Sequence, residues 1–122
     1  MNRKILIIED NEQNLYLVTF ILRKHGYDVH SAGDGPAGIA LAATLRPDLI
    51  LLDIQLPRMD GYAVARELRR IEELAEVPIV AVTSYAMAGD RAKALAAGCS
   101  GYIEKPINPD TFMGEVKQHF PE

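Results

Sequence analysis

Three short apolar runs, each closed by an acid or a hydroxyl, constrain this chain more than any other feature. Ile5-Leu6-Ile7-Ile8 ends at Glu9-Asp10, Leu49-Ile50-Leu51-Leu52 ends at Asp53, and Ile79-Val80-Ala81-Val82 ends at Thr83. None of the runs alternates with polar residues, so each reads as a strand buried on both faces. A sheet built from such strands needs helices above and below it. The stretches between them change to helical spacing. The first, capped by Asn11 and stopped by Gly26, carries Leu15, Val18 and Leu22. A second helix is expected over residues 37–45 with Pro36 in its first turn, a third over 62–74 and a fourth over 89–97. Phe112, Met113, Val116 and Phe120 mark a last one that ends near His119. Short strands over residues 27–31 and 101–104 complete the alternation.

Five strands alternating with five helices predict an α/β fold, a doubly wound parallel sheet. Right-handed crossovers leave few topologies, and the flavodoxin-like order 2-1-3-4-5 is the economical one. At 122 residues the chain fits one domain. The single Cys99 excludes an intramolecular disulfide framework and a multi-cysteine zinc site. A formal charge of −4 argues against nucleic-acid binding. No apolar run is long enough for a membrane span and there is no room for a signal peptide, so a cytoplasmic location is expected.

In open parallel sheets, ligands gather beyond the carboxyl ends of the strands. That edge receives Glu9 and Asp10 from the first strand, Asp53 from the third, Thr83 and Ser84 from the fourth, and Glu104, Lys105 and Pro106 from the fifth. Carboxylates packed together resist ionising unless a cation sits among them, and an oxygen-only set suits a hard divalent ion, Mg²⁺ first. Lys105 offers a mobile positive charge and Thr83 a hydroxyl donor for phosphoryl oxygens. The chemistry these groups point to is transfer of a phosphoryl group to an aspartate.

Four segments together resemble the signature of the receiver domains of two-component response regulators. They are Glu9-Asp10-Asn11, Asp53-Ile54-Gln55-Leu56-Pro57-Arg58-Met59-Asp60-Gly61, Val82-Thr83-Ser84 and Tyr102-Ile103-Glu104-Lys105-Pro106. The match spans the chain in order and spacing. It implies that Asp53 accepts a phosphoryl group from a phosphohistidine on a sensor histidine kinase or a histidine phosphotransfer protein. Asp10 would bind Mg²⁺ directly, Glu9 directly or through water, Asp53 with its carboxylate and Gln55 with its main-chain carbonyl. Thr83 and Lys105 would hold the acyl phosphate, the Lys105–Pro106 bond would be cis, and Gly61 would be a structural turn residue. Tyr102 would be the switching aromatic, turning inward as Thr83 moves. A downstream target protein would then read the face of the fourth helix, fifth strand and fifth helix. The surface at the start of the first helix, which Asn14, Leu15 and Val18 begin, would receive the phosphodonor, the pattern leaving open which of these residues dock and which pack into the core. Position 9 departs from the commonest pattern in being Glu rather than Asp, one methylene longer.

The resemblance implies a single receiver domain over residues 1–122 with no output domain. A receiver excised from a hybrid histidine kinase is the alternative. A haloacid-dehalogenase-type phosphatase fits less well, because Gln55 stands where its general acid belongs and Asp53 lies on the third strand. The chain is thus expected to be a phosphoacceptor, not an enzyme that turns over substrate. Gln55 and Tyr85 are expected to border the path of an attacking water. His25, His30 and His119 read as solvated, Cys99 as a packing residue, and Glu72, Glu73 and Glu76 as a solvated acidic face.

Overall fold

The computed structural model describes residues 3–84 and 89–120. Among these the strands are β1 (Lys4–Ile8), β2 (Asp28–Ala32), β3 (Leu49–Asp53), β4 (Ile79–Thr83) and β5 (Gly101–Glu104). The helices are α1 (Glu12–Lys24), α2 (Gly35–Leu45), α3 (Gly61–Arg70), α4 (Asp90–Ala96) and α5 (Phe112–Lys117), with one 3₁₀ turn at Glu72–Leu74. All neighbouring strands pair parallel, in the order β2-β1-β3-β4-β5. The doubly wound architecture expected from the apolar runs is therefore the one observed.

Side-chain alternation along buried strands splits the interior in two. Ile5, Ile7, Leu49, Leu51, Val80, Val82 and Ile103 join Val18, Leu22, Phe112 and Val116 of α1 and α5. Leu6, Ile8, Ile50, Leu52, Ile79 and Ala81 join Ala42, Val64, Leu68 and Ala94 of α2, α3 and α4. Three helices start where a side chain satisfies an end N–H that the helix leaves unpaired. Asn11 Oδ1 accepts from the Asn14 N–H at 2.9 Å, Asp34 Oδ1 from Ala37 at 2.9 Å, and Asp60 Oδ1 from Ala63 at 3.0 Å. Each of these caps follows a strand's carboxyl end, so capping also fixes the loops around the rim.

Several boundaries differ from expectation. Strand β2 runs one residue later, at 28–32. Helix α2 begins at Gly35 because Asp34, not a later residue, is its cap. The helix expected over 62–74 ends at Arg70, where Ile71 turns extended (φ −81°, ψ 117°). Continuing it would set Glu72, Glu73 and Glu76 at the negative end of the helix dipole. The break instead lets Leu74 turn into the core and leads the chain to β4. Arg69 holds the break by donating to the carbonyls of Leu74 (2.9 Å), Val77 (2.6 Å) and Gly98 (2.8 Å).

Of the three histidines, His25 is exposed as expected, whereas His30 and His119 are partly buried. His30 Nε2 lies 3.2 Å from Asp28 Oδ1, because residues two apart on a strand share a face. His25 Nδ1 is 2.9 Å from the Ile21 carbonyl. His119 is half-buried over Gly101, and that burial lowers its imidazole below the usual range. Cys99 is buried, as a packing residue should be, and its thiol is pushed up to about 11 by burial. Glu72, Glu73 and Glu76 are exposed.

Candidate acidic phosphoacceptor site

The sheet register determines which side chains meet. Ile8 is level with Leu52, Leu52 with Ala81, Asp53 with Val82, and Thr83 with Glu104. The residues just past these levels therefore emerge together on the carboxyl rim. Glu9 and Asp53 continue the odd-numbered side of β1 and β3, which faces α1 and α5. Thr83 continues the side of Ile79 and Ala81, which faces α4. Among the described residues, the buried polar side chains are Glu9, Asp53 and Thr83, at 6%, 3% and 2% exposure.

Charged groups this deep need partners. Lys105 Nζ is 3.2 Å from Glu9 Oε1 and 3.4 Å from Asp53 Oδ2, so one ammonium serves two carboxylates. Glu9 Oε2 also accepts from the Asn11 N–H at 3.2 Å, and Asp53 Oδ1 from the Gln55 N–H at 2.9 Å. Asp10 adds a third carboxylate on the exposed side, and oxygens of Glu9, Asp10 and Asp53 all lie within 4.8 Å of one another. One amine does not balance that much negative charge. Burial first, then the hydrogen bond and repulsion from Asp53, raise the Glu9 carboxyl from 4.5 to about 7. The Asn11 N–H and Lys105 pull the other way and lose.

Local backbone geometry holds Asp53 in place. The chain leaves β3, makes the loop 54–60 and returns, with the Gly61 N–H donating to the Ile54 carbonyl at 2.9 Å. A Cβ at position 61 would stand 2.5 Å from Ile54 Cα and 2.7 Å from the Asp53 carbonyl oxygen, so the loop closes this tightly only on glycine. Past β5, the Lys105 N–H donates to the Thr83 carbonyl at 2.8 Å, which extends the β4–β5 ladder to the site. The Lys105–Pro106 peptide bond is cis.

Glu9, Asp10, Asp53 and Lys105 thus come together, with Thr83 buried at the end of the neighbouring strand. Tyr102 sits on β5, level with Ala81 and partly buried against the α2–α4 side of the core, two residues back along the strand from Glu104. Burial, then the Glu104 and Asp90 carboxylates, raise its phenol above the usual range. The Gln55 side chain accepts from Ser84 Oγ at 3.0 Å. Tyr85, expected beside Gln55, lies outside the described residues.

The fold and this acid cluster define a signalling receiver: the chain belongs to the response regulator receiver domain family, whose model matches residues 5–117. It is a response-regulator receiver of two-component signalling. Among individual relatives it is similar to the polar-differentiation response regulator DivK of Brucella anthropi, at 39% identity over 119 residues. That alignment covers 98% of this chain and 97% of the relative. The chemotaxis protein CheY4 of Vibrio cholerae superposes with a TM-score of 0.94 at 27% identity, covering 98% of this chain and all of that one. The receiver domain of the sensor histidine kinase PA1611 from Pseudomonas aeruginosa superposes with a TM-score of 0.89 at 36% identity, covering 98% of each chain. That structure has a magnesium ion coordinated in its active-site cleft. Receivers of this family work with histidine kinases and downstream targets. Among the described residues no helix is long and apolar enough to cross a membrane.

Proposed function

We propose that Asp53 accepts a phosphoryl group from a phosphohistidine, and that the resulting shape change is the signal. The observation that carries this reading is the setting of the Asp53 carboxylate. It is buried at the end of a central strand, 3.4 Å from the Lys105 amine and grouped with two further acids. In the reaction one Asp53 oxygen attacks phosphorus, the P–N bond to the donor imidazole breaks, and its electron pair leaves with the ring nitrogen. The product is an aspartyl phosphate. Lys105 neutralises charge on the transferred group and the Thr83 hydroxyl donates to another of its oxygens.

The donor set suits a hard divalent cation: it is all oxygen, rich in carboxylate, and short of positive charge by the raised Glu9. Glu9, Asp10, Asp53 and the main-chain carbonyl of Gln55 would hold Mg²⁺, which when bound supplies charge neutralisation for the phosphoryl oxygens. Thr83 and Tyr102 share the α4 side of the sheet. As Thr83 turns toward the phosphoryl group it leaves room on that side, and the Tyr102 ring turns inward. A downstream protein reads the altered surface of α4, β5 and α5. In this reading the chain is a phosphoacceptor and not an enzyme that turns over substrate, and it works in the cytoplasm.

The test is intact-mass analysis after incubation with acetyl phosphate and Mg²⁺. One added phosphoryl group is expected on the native chain and none on Asp53→Asn; an unchanged adduct on the variant would overturn the assignment. Phosphotransfer from a purified, labelled histidine kinase measures the same site with its natural class of donor.

A further inference from the structure

Helix α1 packs one side on the sheet through Val18, Ile21 and Leu22 and leaves a second stripe facing water. On that stripe Tyr16 is 75% exposed and Phe20 57% exposed, one helical turn apart. With Thr19, Arg23 and Lys24 they line an open groove along the helix. The stripe is acidic at its start, at Glu12, and basic at its end, at Arg23 and Lys24. Positions 12 and 24, and positions 16 and 20, are symmetric about Val18. An α1 stripe laid antiparallel on a second α1 stripe therefore sets Glu12 against the other copy's Arg23–Lys24 end and Tyr16 against the other copy's Phe20. Both pairings are satisfied by one two-fold axis, as an isologous contact requires.

We propose that α1 carries a self-recognition surface, by which two copies of this chain pair through antiparallel α1 helices. Charge complementarity favours a second copy over an unrelated partner, because this stripe brings both signs in the order its own reverse demands. The seam runs about 18 Å from position 12 to position 24 at 1.5 Å per residue. One helix face on each side buries less than a standard stable interface, so the pair is transient, with a dissociation constant of roughly 0.1 to 1 mM. The surface is distinct from the acid cluster and from the Asn14–Leu15 side of the helix. It stands or falls independently of the phosphorylation reading.

Sedimentation velocity of the full chain, over two decades of concentration up to the proposed dissociation constant, tests it. A concentration-dependent shift from monomer toward dimer is expected, and its loss in Tyr16→Ser/Phe20→Ser. A charge exchange separates a seam from a folding defect. Glu12→Lys alone and Arg23→Glu/Lys24→Glu alone each weaken self-association about tenfold or more, while an equimolar mixture of the two variants restores it as a heterodimer. Circular dichroism checks that each variant is folded. A chain that stays monomeric throughout overturns the proposal. So does a dimer insensitive to these exchanges, or a stripe that binds a histidine phosphotransfer protein and never itself.

Discussion

The Lys105 ammonium lies 3.2 Å from a carboxylate oxygen of Glu9, with both side chains almost wholly out of water. The amine is shared with Asp53, so Glu9 keeps only part of its attraction. Its raised carboxyl fixes the sign of a pH dependence. Between 4.5 and about 7 the folded, metal-free protein holds a proton on Glu9 that the unfolded chain has lost. Stability therefore falls as pH rises through that window, and the loss persists above it. Urea unfolding in EDTA at pH 5 and pH 8 should show Glu9→Gln gaining on the native chain by up to about 3 kcal/mol at the higher pH. At pH 5 the difference should largely vanish. Equal offsets at both values would mean that Glu9 is ionised throughout.

The same excess of negative charge sets the expected response to a divalent ion. Under the proposed Mg²⁺ assignment, an ion at tenfold its dissociation constant stabilises the fold by about 1.4 kcal/mol, a rise in Tm of several degrees. Asp10→Asn should abolish the rise, because Asp10 is the exposed member of the acidic trio and its loss leaves the buried pair intact. Thermal melts with and without Mg²⁺, at constant ionic strength, measure both. A rise retained in the variant would remove Asp10 from the ligand set.

The parts of this molecule legible in its sequence are those fixed by strand ends. Runs apolar on both faces could only be central strands, and once they were placed, Glu9, Asp10, Asp53, Thr83 and Lys105 had to share a rim. Asn11 as a cap was visible because it precedes the first helical period. What escaped depended on contacts between distant segments. Nothing near Ile71 forbids a longer helix until Arg69 is seen to gather the carbonyls of Leu74, Val77 and Gly98. The Ser84–Gln55 bond joins residues 29 apart, and Phe120 leaves α5 to stack on Tyr27 with ring centroids 5.3 Å apart. No local pattern encodes those pairings.

Gly61 offers a test of how tightly the loop after the proposed acceptor, Asp53, is held. A methyl group there would press on Ile54 Cα and the Asp53 carbonyl, both main-chain atoms that cannot step aside singly. Gly61→Ala should cost about 1 to 3 kcal/mol and slow phosphorylation by acetyl phosphate, since Asp53 shifts with its own carbonyl. Gly33→Ala is the control: its added methyl meets nothing within 4 Å. The control should stay within about 0.5 kcal/mol of the native chain in urea unfolding and phosphorylate at the native rate. A silent Gly61→Ala would show that the loop relaxes freely.

Arg69 makes the opposite case, a charged residue whose work is away from the acids. Its guanidinium donates to the carbonyls of Gly98, Leu74 and Val77, and to Ser100 Oγ at 3.2 Å. Burial lowers its pKa, the desolvation being only partly offset by the nearby Cys99 and Glu76. The bonds tie the end of α3 to the approaches of β4 and β5, at the sheet end opposite Asp53. Replacing Arg69 with Met keeps most of the aliphatic bulk but strands several part-buried carbonyls, at an expected cost of about 2 to 4 kcal/mol. Lysine should recover little, because one ammonium cannot reach acceptors arranged around a planar fork. Hydrogen exchange should quicken at the Cys99 and Ser100 amides, while the initial rate of Asp53 phosphorylation in the folded fraction stays native. A fall in that rate, with stability intact, would move Arg69 from holding the fold to tuning the site.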